Sequence, residues 1–434
     1  MHPLNRGFTA LRSLILMVAL LFLAACDNFF EPAQPEVTIT QENTLNTERL
    51  LAATSLYAYS QVSAALNQAQ ILDGLITTFL HHPNPASIEA TQKAWKEAYT
   101  AYLNVSFFHQ MPRFEQPKYY KENSSYQILH EQLENWPIEA GYIDYLAFYP
   151  LSGIVNDMTL KISVQSMIEQ HCFSDVRFAS IGFHPMEFLL FGIDGKRSAR
   201  DFIPQENNIE IVHTDTKEEP DNTTGTDPLM HTTETHIHEQ HTANINPQNH
   251  NRRREYLRLL SALALKNLQT LADRWEPAHG YYAKQWRQPQ GTEHLSNIYQ
   301  ISVDVLQNEI LTRNFQPLLT QTELEDLRSP FAAQDINNIK TILQSIENLF
   351  YIEHGFISEI KDRRAESADK ITAQFKRIIR AVKKLPSDLT QQTLAKRQAR
   401  LAPIQKKVIS LLEQLYAGAE ILELPLNTLP VSTN

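Results

Sequence analysis

Apolar residues recur at the spacing of an α-helix through most of this 434-residue chain. Between Asn46 and His82 they fall three or four positions apart, which places them on one face of a helix. Further segments with this spacing lie at 85–109, 152–172, 251–274, 292–313, 330–354, 358–384 and 389–420. The 12 glycines are about 3% of the residues, where roughly 7% is usual, which argues against a β-sandwich or barrel. The sequence therefore predicts an all-α protein with one helical bundle at 46–203 and a second at 251–425.

Short motifs indicate where several of these helices begin, end or bend. Asn84-Pro85 and Ser329-Pro330 each have the form of an N-cap residue followed by proline at the first helical position. Pro403 falls inside the last predicted helix, where it predicts a kink or a break. We interpret the basic triplet Arg252–Arg254 as the solvated start of the first helix of the second bundle.

The N-terminus has the features of a bacterial export signal. Residues 1–12 contain arginines and no acidic residue, and residues 13–23 form an apolar run that is short for a membrane span. The run ends in L-A-A-C, which resembles a lipoprotein lipobox, so we expect residues 1–26 to be a signal peptide and Cys26 to be lipidated. Residues 27–45 would then be a polar tether to the membrane. The alternative is an ordinary secretory signal with an incidental cysteine.

This interpretation places the protein in the bacterial cell envelope as a periplasm-facing lipoprotein. Asp27 directly follows the cysteine and resembles an inner-membrane retention signal. That rule differs between bacteria, so the choice between inner and outer membrane stays open. The formal net charge of −10 argues against nucleic acid as a partner.

Residues 204–250 break the helical pattern. The segment is acidic and polar, contains few aliphatic side chains, and predicts a disordered insertion between the bundles. Within it, an accessory metal-capture role is predicted for four histidines, His231, His236, His238 and His241. Their spacing matches no defined zinc site, so a solvated loop without a metal role is the alternative.

The stretch Ile181–Gly192, I-G-F-H-P-M-E-F-L-L-F-G, contains the residues that most suggest chemistry. His184 and Glu187 are three positions apart, so on a helix their imidazole and carboxylate share a face and could bind one ligand. Because the neighbours are apolar, Glu187 should have a cation, a hydrogen-bond donor or a metal beside it. A structural alternative makes His184 the N-cap, Pro185 the first helical residue and Glu187 the N3 residue of a capping box.

The motif G-x-H-x-x-E at Gly182–Glu187 resembles the signature of the imelysin-like family. Asn135–Tyr145, and Ser329–Phe331 with Asp335, resemble other landmarks of that family in the same order. The resemblance covers roughly residues 45–425 apart from the insertion. It implies an all-α fold of two tandem bundles with the signature near their interface. It also implies an extracytoplasmic protein linked to iron uptake, in a family that was named as a metallopeptidase group.

The resemblance further implies a metal site with His184 and Glu187 as ligands and Gly182 as the motif glycine. Many relatives carry an acidic residue one turn after the position of Tyr102, where this chain has Ser106, so one carboxylate ligand is in doubt. Three other acidic residues are candidates for an additional role at the site: Asp144, Asp335 and Glu353.

Three hypotheses for function follow. The first is a metal-binding uptake lipoprotein, with iron favoured over zinc and a transporter of the inner or outer membrane as partner. The second is a zinc peptidase, although the H-E-x-x-H motif of such enzymes is missing and no catalytic residue can be assigned. The third is an envelope module that binds a peptide or another non-metal ligand between the bundles.

Overall fold

The computed structural model describes residues 41–110, 125–204, 247–286, 292–324 and 326–427. The predicted signal peptide, the lipidation of Cys26 and the histidine run His231–His241 lie outside these residues. Two helices start earlier than the sequence pattern suggests, one at Gln41 rather than near Asn46 and the other at Pro247 rather than at Asn251. Proline suits a first helical position, since the N–H that it lacks would have no partner there.

The described residues form α-helices joined by turns and irregular segments, and none of them belongs to a β-strand, which confirms the predicted all-α class. A π-helix at Val305–Phe315 directly continues the α-helix that ends at Asp304. The α-helices are α1 (Gln41–His81), α2 (Pro85–Ser106), α3 (Tyr126–Leu133), α4 (Ala140–Ile143), α5 (Val164–Gln170), α6 (Phe183–Phe191), α7 (Pro247–Trp275), α8 (Tyr281–Trp286), α9 (Thr292–Asp304), α10 (Gln316–Thr320), α11 (Asp335–Phe350), α12 (Phe356–Val382) and α13 (Leu394–Ile421).

Contacts group residues Asn46–Asn434 into one compact unit. Its buried apolar side chains form one cluster that extends from α1 to α13. Helix α6, which carries the G-x-H-x-x-E motif, packs against α2, α4 and α7, while α2 also packs against α11 from the second half of the chain. The division into bundles at 46–203 and 251–425 stays a prediction. Among the helices described, none is both long and apolar enough to cross a membrane.

The two predicted cap motifs have different outcomes. Asn84 is confirmed as a cap, because its Oδ1 accepts a hydrogen bond from the Ser87 N–H at 3.0 Å and α2 begins at Pro85. Ser329-Pro330 does not start a helix, because α11 begins only at Asp335. The Asp335 carboxylate instead accepts the Ser329 N–H at 3.0 Å, and this bond closes a loop at residues 329–334.

The predicted helix at 152–172 is mostly wrong, since only Val164–Gln170 is helical. Gly153 has φ +87°, and a Cβ there would lie 2.4 Å from the Asp144 backbone nitrogen. The guanidinium of Arg252 satisfies carbonyl oxygens that a helix would satisfy with its own N–H groups. The carbonyls that it contacts are those of Ile154, Val155, Asp157 and Leu160.

The arginine triplet is not a solvated helix start. Arg253 is fully buried and donates to both oxygens of Asp144, at 2.6 and 2.9 Å. The triplet also holds the backbone just before the insertion, because Arg253 and Arg254 donate to the carbonyls of Asp201 and Phe202 at 3.0 and 2.8 Å. The basic triplet suggested an exposed helix start, but in the structure it lies where α7 contacts the backbone of Asp201 and Phe202.

Pro403 does not break the last helix, because α13 runs through it from Leu394 to Ile421. Its neighbour α12, which packs along α13, carries the irregularity instead, with non-helical φ −154° and ψ 87° at Arg364.

Candidate functional site

The motif helix α6 starts where the backbone requires glycine. Gly182 is its N-cap residue with φ +104°, and a Cβ on it would lie 2.6 Å from the carbonyl oxygen of Leu133. The predicted N-cap role of His184 is therefore wrong. Pro185 still lies in the first turn, where its missing N–H leaves no helical hydrogen bond unmade. Gly192, with φ +69°, follows the end of the helix.

His184 and Glu187 form a hydrogen-bonded pair in the interior. Their side chains are 1% and 0% exposed, and His184 Nδ1 lies 3.1 Å from Glu187 Oε2. Glu187 Oε1 accepts the backbone N–H of Ala332 at 2.8 Å. The predicted donor beside Glu187 is thus confirmed, and the capping-box alternative is wrong. The N–H that reaches the Glu187 carboxyl comes from the loop at 329–334. A capping box needs the N-cap residue three positions before the glutamate, and the N-cap residue Gly182 lies further back than that.

A chain of polar contacts continues from the other side of the imidazole. His184 Nε2 lies 3.3 Å from the Tyr99 hydroxyl, and that hydroxyl donates to Glu134 Oε1 at 2.7 Å. Glu134 in turn lies 3.5 Å from the buried guanidinium of Arg328, which also pairs with Glu309.

The directions of these hydrogen bonds assign the protons. A hydroxyl has one hydrogen, and Tyr99 gives it to Glu134, so Nε2 of His184 must be the donor to the Tyr99 oxygen. Burial favours the neutral imidazole, which then accepts at Nδ1, so the proton between Nδ1 and Oε2 belongs to the Glu187 carboxyl. The pair is a neutral acid beside a neutral imidazole.

Burial favours the same charge state. It lowers the pKa of His184 to about 4 and raises the pKa of Glu187 well above its ordinary value, although backbone N–H groups at Phe331 and Ala332 oppose the latter shift. Burial also raises the pKa of Asp335, whose carboxyl is close enough to act on the pKa of both motif residues. Burial therefore disfavours the ionised forms of both the Glu187 and the Asp335 carboxyls.

A cavity of about 350 Å³, called the motif cavity below, opens beside the pair. Its lining combines the motif residues with two arginines, one further acid and a mostly apolar wall. These residues are His184, Glu187, Arg177, Arg328, Glu139, Pro137, Ile138, Ala140, Ile193, Leu324, Leu327, Pro330 and Phe331.

A smaller cavity of about 160 Å³, called the histidine cavity below, lies on the other side of Arg328. His109 and His130 line it with their rings stacked at 3.7 Å and 5°, and Glu134 and Glu309 line it as well. Burial lowers the pKa of both histidines. Since Arg328 borders both cavities, the chain of polar contacts from His184 connects them.

The structure brings together some of the predicted site residues and not others. Asp335 joins His184 and Glu187 in the same buried region. Asp144 is fully buried elsewhere, paired with Arg253 as described above and with Arg197 at 3.2 Å. Glu353 lies at the surface with its side chain 92% exposed, 3.8 Å from His354 Nε2. Both of these carboxylates are therefore outside the motif site.

Sequence reasoning missed the residues that connect the cavities. Glu134 directly precedes the stretch Asn135–Tyr145, and Arg328 directly precedes Ser329-Pro330. Their positions next to these two family landmarks were the sequence feature that could have identified them as site residues. Ser106, which replaces the expected acid, lines the histidine cavity, and its carbonyl oxygen accepts a hydrogen bond from His109 Nδ1.

In their present arrangement, the side chains at the motif site do not form a complete set of ligands for a metal ion. Across the described ranges, no three or more His, Cys, Asp or Glu side chains are arranged to hold a metal ion. The motif supplies two adjacent donors, one imidazole and one carboxyl, and the Asp335 carboxylate already accepts a backbone N–H.

Comparison with known proteins places this geometry in a family. The profile of the family Peptidase M75, imelysin, matches residues 55–417. No curated protein matches the chain. The crystal structure of an imelysin-like protein from Psychrobacter arcticum superposes with a TM-score of 0.58 at 11% identity, covering 89% of this chain and 98% of that one. A structure from Parabacteroides distasonis, described as an iron-regulated protein A precursor, superposes with a TM-score of 0.56 at 12% identity and the same two coverages. The chain belongs to the imelysin family.

Proposed function

We propose that this protein is a cell-envelope lipoprotein that binds a divalent metal ion beside His184 and Glu187 as a step in metal uptake. Iron is the favoured ion and zinc is the alternative, because an imidazole with a carboxylate suits either. The observation that carries the proposal is the buried His184–Glu187 pair, which borders a cavity and in which burial disfavours the ionised carboxyl.

A cation would change the energy of this region directly. It would favour the ionised form of Glu187 and take the place of the proton shared with His184. Asp335 adds a second carboxyl whose pKa burial also raises. The ion is cargo in this proposal, so a site with two ready donors, loose enough to release it, is consistent with uptake.

The envelope location rests on the predicted lipid anchor at Cys26 and on the family. The Parabacteroides relative is described as an iron-regulated protein, which agrees with a role in iron supply. A transporter in the inner or outer membrane would be the partner that receives the ion.

Metal titration with elemental analysis tests the proposal. We would compare the intact protein, a version lacking 205–246, and the double variant His184→Gln/Glu187→Gln. The matched control is Glu353→Gln/His354→Gln, which removes an exposed glutamate–histidine pair. We expect one ion bound at the motif in all versions except the double variant of the motif. Binding that vanishes with residues 205–246 and ignores the motif substitutions would refute a metal site at His184.

A non-metal ligand is the second candidate function. It is favoured because His184 and Glu187 already have protein partners at both ring nitrogens and at both carboxyl oxygens. In that case the two residues would have a structural role in the wall of the motif cavity. A small molecule, rather than a metal ion, would then raise the temperature at which the protein unfolds. A casein cleavage assay tests the peptidase alternative, for which the arrangement of side chains supplies no further support.

A further inference from the structure

One arginine in the motif cavity is left without a counter-charge. Arg177 borders the cavity, and its Nε is buried without a hydrogen-bond partner. Its backbone is well anchored, because its N–H donates to Asp175 Oδ1 at 2.8 Å and its carbonyl accepts the Glu139 N–H at 2.9 Å. Within the described ranges, no carboxylate forms an ion pair with its guanidinium. A fixed backbone thus holds a cationic side chain at the cavity wall.

The other charged residues of the lining do not supply that partner. Arg328 is already paired with Glu134 and Glu309. The carboxylate of Glu139 turns towards Gly141, where its Oε1 lies 3.6 Å from the position that a Cβ would occupy. Glu187 is committed to His184 and Ala332. Among the described residues of the lining, the Arg177 guanidinium therefore has no ion-pair partner, and a ligand with an anionic group would supply one.

The volume of the cavity and its apolar wall further restrict which kinds of ligand it can bind. A bare ion needs about the space of one water molecule, roughly 30 Å³, whereas this cavity measures about 350 Å³. That volume is within the range of about 300–1,000 Å³ typical of sites for small organic molecules. Its wall includes Ile138, Leu324 and Phe331, which suit a hydrocarbon or aromatic body.

We propose that the motif cavity binds a small organic carboxylate, with the carboxylate paired to Arg177 and the apolar body against the hydrophobic wall. The planar guanidinium can donate two parallel hydrogen bonds to such a group. We further infer that the metal ion enters as its complex with this carboxylate, a statement that rests on the function proposed above. The ion would then face His184 and Glu187 while the organic part occupies the remaining space.

Calorimetry on the full chain tests the proposal with salicylate, an aromatic carboxylate that chelates metals, and with its neutral amide, salicylamide. The variants are Arg177→Gln, Arg177→Lys and the matched control Arg200→Gln, which changes an exposed arginine that does not border the cavity. We expect salicylate to bind and salicylamide to bind at least tenfold more weakly. Arg177→Gln should weaken salicylate about ten- to hundredfold, as expected for a lost charge-assisted contact. Arg177→Lys should recover part of the loss, and Arg200→Gln should bind like the wild type.

Zinc alone and zinc with salicylate separate this inference from the proposed function. Zinc alone should bind equally to wild type and Arg177→Gln, whereas salicylate should strengthen zinc binding only in the wild type. Salicylate binding that needs Arg177 but occurs without any zinc binding would support the carboxylate site and refute the metal function. Zinc binding at His184 with no salicylate binding, or with salicylate binding that ignores Arg177, would overturn the inference and leave the metal function standing.

Discussion

Replacing Arg253 with methionine should destabilise the protein far more than removing an ordinary surface charge. Arg253 is fully buried and donates two hydrogen bonds to Asp144 and one to the Asp201 carbonyl. Methionine fills much of the space but leaves the buried Asp144, among the residues that the structure describes, with only Arg197 as a cationic partner, at 3.2 Å. Removing one partner of a buried ion pair costs about 3–5 kcal/mol, so a loss of about that size is expected.

Urea unfolding followed by tryptophan fluorescence measures the loss, and the double variant Asp144→Leu/Arg253→Met tests its origin. Because the double variant removes both charges, it should be about 2–3 kcal/mol more stable than the sum of the single changes predicts. Arg197 keeps a partner in it, since Asp201 lies 3.3 Å away. The control Arg363→Met removes a surface pair and should cost only about 0.3–0.5 kcal/mol. A loss below about 1 kcal/mol for Arg253→Met, or strict additivity in the double variant, would refute the reasoning.

Three further predictions concern the motif site. Since burial lowers the pKa of His184 to about 4, an NMR titration should find its ring neutral at pH 6, and a protonated ring there would contradict the burial. The unfolded chain takes up this proton near pH 6.5, so the contribution of His184 to stability is full above that pH and is lost as pH falls towards 4. The change, about 3 kcal/mol, should appear in the difference in unfolding free energy between wild type and His184→Gln. Gly182→Ala should cost about 1–3 kcal/mol, because its Cβ would meet the Leu133 carbonyl, and an unchanged melting temperature would show that the helix start can shift. Tyr99→Phe should leave the Nε2–H of His184 without its acceptor while Nδ1 still accepts from the Glu187 carboxyl, so the ¹⁵N tautomer signature should stay that of Nε2–H, and a proton found on Nδ1 would refute the assigned proton positions.

The sequence identifies elements that local patterns determine. The helical spacing in α1 and the Asn84 cap need only neighbouring residues, and both agree with the structure. The pairing of His184 with Glu187 was also accessible, because positions three apart meet on any helix.

Features that depend on distant residues could not be predicted. Ser329-Pro330 has the local form of a helix start, but the carboxylate of Asp335 holds that segment as a loop. Arg252 takes over backbone carbonyls in the segment expected as a helix at 152–172. The burial of Arg253 depends on Asp144, more than a hundred positions earlier in the chain. In the two arginine cases a side chain about a hundred positions away competes with a local propensity, and the residues alone give no sign of the partner.

The contacts at the start of α7 have a consequence for how this fold can vary. Arg253, Arg254 and His250 hold the carbonyl oxygens of three successive residues, Asp201, Phe202 and Ile203. The described residues on the two sides of positions 205–246 are therefore in contact, with His250 Nδ1 lying 3.2 Å from the Ile203 carbonyl oxygen. For a segment whose two ends are already joined, doubling its length costs only about 0.6 kcal/mol of closure entropy. This junction can accept segments of very different length and composition, so we expect that residues 205–246 can be exchanged for another sequence, such as a reporter, without redesign of the helices around them.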